Sequence, residues 1–237
     1  MLTLEEVMSK LEAMGTEQTK KNVFFRHGAK EPCFGVKIGD LKTLVKQVRK
    51  DQALALALYD SGNHDAMYLA GLSVNPKQMG KEQLQTWARQ AYWHMLAEYT
   101  VAGVAAESPF ALDLAREWLD SDQELIAACG WSTYANYISI TPDKQLDIAE
   151  IRGLLKRVRE TIHEERNRVR YTMNGFVIVA GTSIAALQEE AREVAEQIGK
   201  VHVDVGETAC KVPLATAYIR KVEALGKTGI KKKTCIC

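Results

Sequence analysis

The residues best equipped for chemistry in this 237-residue chain are its histidines, its cysteines and two glycine-lysine stretches. Their spacing excludes more than it allows. His27 with Cys33, and His202 with Cys210, lack the paired ligand spacings of a zinc site, so no metal is expected. "GETACK" and "GKTG" have neither the GxxxxGK[ST] spacing nor the preceding buried strand of a phosphate loop. No His–Cys or Ser–His–Asp arrangement follows from the five scattered histidines, and no cofactor is expected. The cysteines (Cys33, Cys129, Cys210, Cys235, Cys237) are odd in number, widely spaced and without a CxxC pair, a pattern of the reducing cytosol. Cys129 and Cys210 lie in apolar helical contexts and read as small core residues.

What remains is the chemistry of charge. The formal net charge is +1, so any anion-binding surface must come from distribution. Residues 20–50 carry nine basic side chains, Lys37 and Lys42 among them, against Glu31 and Asp40. Residues 152–170 carry seven, ending in Arg168 and Arg170, against three glutamates. The chain ends "GKTGIKKKTCIC". Thr234 stands where a CaaX lipidation signal needs cysteine, so no lipid anchor is expected of the tail. Lys227, Lys231, Lys232 and Lys233 read as a phosphate-contacting or partly disordered basic arm, with its cysteines incidental. Each basic run is either a nucleic-acid footprint or a solvated helix face.

The elements that must carry these charges are helical nearly throughout. "DLKTLVKQVRK" sets Leu41, Leu44, Val45 and Val48 on one face, with Asp40 as expected N-cap. "KEQLQTWARQAYWHMLAEY" sets Leu84, Trp87, Ala88 and Ala91 on one stripe. Ser108-Pro109 and Thr141-Pro142 are cap-then-proline helix starts. "SIAALQEEAREVAEQIGK" and "GETACKVPLATAYIRKVEALGK" complete the series, and Val201, Val203 and Val205 mark a short extended link. The pattern predicts an all-α fold, a superhelical stack of HEAT-like helix pairs of roughly 35 to 45 residues each. It places one domain over 1–226 and a basic tail over 227–237. The acidic, amphipathic start is no signal peptide, and the longest weakly polar stretch is too short to span a bilayer. A soluble cytoplasmic protein is expected.

Specific residues then carry a resemblance. "CFGVKIGDLKTLVK", with Gly35, Val36 and Lys37 leading into Asp40-Leu41, resembles the N-terminal signature of the AlkD-like DNA alkylation repair family. "RNRVRYTMNGFVIVAG" resembles that family's late helix, and "GETACKVPLATAYIRK" with its Lys-rich end resembles the C-terminus of one branch. The similarity runs over essentially the whole chain. It implies a horseshoe of HEAT-like repeats holding duplex DNA in a basic concave groove. It also implies excision of cationic N3- or N7-alkylated purines, with a carboxylate stabilising the oxocarbenium-like sugar.

The family's functional residues map unevenly. Its carboxylate falls on or near Ala102 and its Trp on or near Glu98, with Tyr99 the nearest aromatic. No shift of alignment places an Asp inside "YTVAGVAA". The family's Arg falls near Ala128, and its later Trp near Gly175 or Phe176. Glu98 is the substitute carboxylate the chain offers; Glu98 and Glu107 read otherwise as partners in surface salt bridges. Trp131 either packs in the core or shows an edge to DNA. Asn174 either bonds between helices or lines the groove. Arg168 and Arg170 are either phosphate contacts or surface charges. The resemblance thus implies a binder of damaged or distorted duplex DNA, with the carboxylate that glycosylase activity needs missing from its mapped position. An active alkylpurine glycosylase and a HEAT-like protein-interaction scaffold are the alternatives.

Overall fold

The computed structural model describes residues 2–236, and among these it contains thirteen α-helices and no strand. In order they are α1 (Leu4–Met14), α2 (Glu17–Thr19), α3 (Ile38–Val48), α4 (Gln52–Asp60), α5 (His64–Ser73), α6 (Lys81–Gln90) and α7 (Ala102–Glu107). Then follow α8 (Ala111–Leu119), α9 (Glu124–Ile140), α10 (Ile148–Thr161), α11 (Asn167–Ser183), α12 (Gln188–Ile198) and α13 (Ala215–Ala224). A π-helical turn, Leu96–Val101, runs directly into α7.

From α4 onward the helices alternate between two layers. The inner one is α5, the continuous 96–107 segment, α9, α11 and α13, each packed on the next. The outer one is α4, α6, α8, α10 and α12. Apolar residues at helical spacing drive this, as in Leu41, Leu44 and Val48 of α3 or Leu84, Trp87 and Ala88 of α6, all buried. Two large apolar clusters meet at α8 and α9. Leu114 and Trp118 face the first cluster while Ala115 and Leu119, one residue on from each, face the second. Close crossing of α8 and α9 needs Gly130, where a Cβ would come within 2.6 Å of the Leu119 amide nitrogen.

Several helix boundaries differ from the sequence expectation, for local reasons. Lys37, not Asp40, occupies the N-cap of α3, and Asp40 sits inside its first turn. The expected 81–99 helix breaks after Gln90, so that Trp93 can send its indole N–H to the His27 carbonyl at 2.6 Å. Ser108 turns the chain ahead of α8 by accepting from the Phe110 amide at 3.2 Å. Asp147, rather than Thr141, caps α10, accepting from the Glu150 amide at 3.0 Å. Residues 206–214 are not helical, and Cys210, expected in the core, is exposed there.

The glycine-valine signature has a structural meaning the sequence did not disclose. The amides of Phe34, Gly35 and Val36 converge on the fully buried carboxylate of Asp65 at 2.6, 3.1 and 2.9 Å. Gly35 has φ +81°, and a Cβ there would meet the Thr16 carbonyl oxygen at 2.6 Å, so glycine is required twice over.

The tail is docked rather than loose. The Gly229 amide donates to the Thr182 carbonyl at 2.8 Å and the Lys232 amide to that of Ser139 at 2.9 Å. Glu107, at the end of α7, accepts from the Cys235 amide at 2.6 Å and the Ile236 amide at 3.3 Å. Gly103, one turn earlier, lets the Cys235 carbonyl approach to 3.2 Å of where a Cβ would stand. Cys235 is therefore part of the dock, with its thiol 3.4 Å from the Asn136 carbonyl; Cys237 lies outside the described residues.

Candidate nucleic-acid interface

The inner layer positions nearly everything that could meet a ligand. The π-helical turn inserts one extra residue per turn, which sends Glu98 inward while Tyr99 stays 47% exposed. Tyr171 of α11 stands across from it, and both tyrosines line two adjoining cavities. The first, of about 390 Å³, lies between α5, the 96–101 turn, α9, α11 and the docked tail. The second, of about 480 Å³, is bounded by Arg26, His27, His94 and the 204–210 loop, which brings Asp204 and Glu207 to its rim.

Between the cavities sits a buried ion pair. Glu98, only 4% exposed, accepts from Arg168 Nε at 2.7 Å and from Nη2 at 2.6 Å. The guanidinium in turn lies 4.3 Å from the Tyr171 ring centroid, a cation–π contact. Burial pushes the Glu98 carboxyl above the usual carboxylate range, and Arg168 pulls it back. Both oxygens of Glu98 are thus taken by one cation. This corrects both expectations for the pair: Glu98 is no surface salt bridge, and Arg168 is spent on a carboxylate inside the protein.

The remaining sequence candidates divide sharply by burial. Trp131 and Phe176 are fully buried and meet each other edge-to-face at 5.3 Å, so neither offers an aromatic edge to a groove. Asn174, 1% exposed, donates from Nδ2 to the Pro213 carbonyl at 2.9 Å and ties the 206–214 loop to α11. Arg170 is half-buried, with Nε lacking a partner. Lys231 is tethered to Asp143 at 2.7 Å and to the Ile138 carbonyl at 2.8 Å. Lys37, Lys42, Lys232 and Lys233 are exposed, and Lys232 lines the first cavity.

The two basic runs also part company. In 152–170, Arg152, Lys156, Arg157, Arg159, Arg166 and Arg168 each face a carboxylate, and Glu190, Asp120 and Glu98 reach in from other helices. In 20–50 only Lys20 is ion-paired among the described residues, to Glu17 and Glu31. The first run is mostly cancelled by its surroundings. The second keeps its charge, and its Arg26 lines the second cavity.

Comparison with known proteins gives one consistent result. The model of the DNA alkylation repair enzyme family matches residues 7–197. An uncharacterized protein of Listeria monocytogenes is 37% identical over 227 residues, covering 93% of this chain and 97% of that protein, and one of Listeria innocua matches to the same extent. Among solved structures, one with a TM-score of 0.91 and 36% identity covers 100% of both chains. That protein is described as one of a new family related to the HEAT-like repeat DNA glycosylases, with affinity for branched DNA structures. The two-layered helix stack described above is that HEAT-like fold.

Proposed function

Since this chain belongs to the DNA alkylation repair enzyme family, we propose that it binds DNA of distorted, damaged or branched geometry and does not excise bases. The observation that carries this reading is the Glu98–Arg168 pair. Excision of an alkylated purine leaves a cationic sugar, and the carboxylate that stabilises it must face that sugar with its charge available. Glu98 is a carboxylate in the wall between the tyrosines, and a guanidinium occupies both of its oxygens. A cation beside the reacting sugar opposes the charge that must develop there.

Binding itself rests on likeness and on charge. A relative of the same fold over its full length has affinity for branched DNA. Arg26, Lys37, Lys42, Lys232 and Lys233 supply exposed or cavity-lining cations for phosphates, and Tyr99 and Tyr171 supply rings at the inner face. Phosphate contacts would set affinity, and geometry would set preference. The odd number of widely spaced cysteines, without a CxxC, suits action in the cytoplasm.

The test uses the purified chain with fluorescent three-way-junction and duplex DNA of equal length, together with methylated duplex. Tighter binding to the junction, weakening steeply with salt, and no release of 7-methylguanine are expected. Release of 7-methylguanine by the wild-type chain would establish the glycosylase instead. No DNA affinity at low salt would leave a protein-interaction scaffold.

A further inference from the structure

We propose that the cavity between α5, α9 and α11 receives one unpaired nucleobase, and that this is how the protein tells a branch point from plain duplex. The proposal rests on the DNA-binding reading above and names the chemical group that would be read.

The cavity has the right size and lining for a neutral, flat ligand. Its volume of about 390 Å³ falls within the range of small-molecule sites, about 300–1,000 Å³. Tyr68, Tyr99 and Tyr171 all line it. Aromatic rings accept the face of any base, so such a wall is tolerant of sequence. Glu98, the one carboxylate among the described residues that line it, is already neutralised by Arg168. Polar groups for a base edge are also present. Ser132 and Asn136, both half-buried, line the cavity. Lys232, on the docked tail, stands at the same cavity, where a backbone phosphate would follow the base.

Gly175 supplies the independent observation. It lies in the interior of the seventeen-residue α11, where glycine is a poor helix former. Packing does not demand it there, because a Cβ at this position would meet nothing within 4 Å. Gly130 and Gly181, by contrast, are glycine because neighbours crowd them. Gly175 lines the cavity, and the missing side chain keeps the space open.

A branch point is where such a cavity is useful. Swinging a base out of an intact duplex costs unpairing and unstacking, but a base already unpaired at a junction escapes most of that cost.

The experiment compares wild type, Gly175→Ala and Gly175→Leu on a three-way junction, on the same junction carrying an abasic residue at each branch nucleotide in turn, and on duplex. Gly175→Leu should lower junction affinity about tenfold, the scale of one lost base–aromatic stack, with duplex affinity unchanged. Gly175→Ala should change it little. One abasic position should cost wild type the same factor and cost Gly175→Leu nothing more. Thermal melting checks that Gly175→Leu is folded, and the abasic scan on wild type stands without it. A folded Gly175→Leu with wild-type junction affinity, or an abasic scan without effect, overturns the base receptor while junction binding survives. Equal wild-type affinity for junction and duplex overturns the branch-point reading and this proposal together.

Discussion

Two buried carboxylates in this protein are held by different partners, and each difference has a measurable consequence. Asp65 is held by three backbone amides, which cannot move without moving the 34–36 turn. Asp65→Asn keeps the shape but removes the charge and turns one acceptor into a donor facing an amide. Hydrogen bonds to a charged group contribute roughly 1.5–3 kcal/mol each, so a loss of about 3 kcal/mol in urea unfolding is expected. Glu98 is held by a single side chain, so its partner can be removed with it. Glu98→Gln leaves Arg168 buried without a countercharge and should cost about 3–5 kcal/mol. The double variant Glu98→Leu/Arg168→Met should recover most of that in the same unfolding measurement, because the loss comes from the orphaned charge. Equal losses in the single and double variants would show that the pair itself is the stabilising unit.

At the scale of elements, apolar periodicity made most helices legible, since Leu41, Leu44 and Val48 or Leu84, Trp87 and Ala88 are spaced for burial whatever surrounds them. What the sequence concealed were boundaries set from far away. The break after Gln90 depends on a carbonyl at His27, and the inward turn of Glu98 depends on an arginine seventy residues later. Asp65 was invisible because its partners are backbone amides, which have no sequence signature. The docking of the tail was hidden for the same kind of reason: nothing in a lysine run shows that Glu107 accepts the amides of Cys235 and Ile236 just beyond it. That dock predicts a specific failure. Glu107→Ala removes the acceptor for the Cys235 and Ile236 amides while Lys231 keeps its own tether to Asp143. Trypsin should then cleave after Lys232 and Lys233 faster than in wild type, with the α-helical signal unchanged. Gly103→Val should do the same from the other side of the contact, because its side chain would displace the Cys235 carbonyl.

For the whole molecule, proton and salt linkage are the informative axes. Burial lowers the His64 imidazole to about 4, and burial together with Arg168 lowers that of His94 to about 3, each from 6.5. The folded state therefore refuses protons that the unfolded chain accepts. Stability is full above about pH 6.5 and falls as pH drops below it, by up to about 1.4 kcal/mol per pH unit for each group. Melting temperatures between pH 7.5 and 5 should decline, and His64→Phe, in its aromatic cage of Phe24 and Trp93, should flatten the decline. Salt linkage tests which basic run meets the DNA that the proposed function requires. By sequence the two runs look alike, yet the ion pairs from Arg152 to Glu190 and from Arg157 to Asp120 join separate helices and cancel charge on the spot. Arg26, Lys37 and Lys42 have no such partner among the described residues. Each phosphate neutralised contributes about 0.9 to the slope of log affinity against log salt. Arg26→Gln, Lys37→Gln and Lys42→Gln should each reduce the junction-binding slope by about that amount, read by titrating affinity between about 50 and 200 mM salt. Arg152→Gln and Arg157→Gln should leave the slope unchanged and act, if at all, on stability. A slope that follows the second set and not the first would move the DNA to the opposite face of the stack.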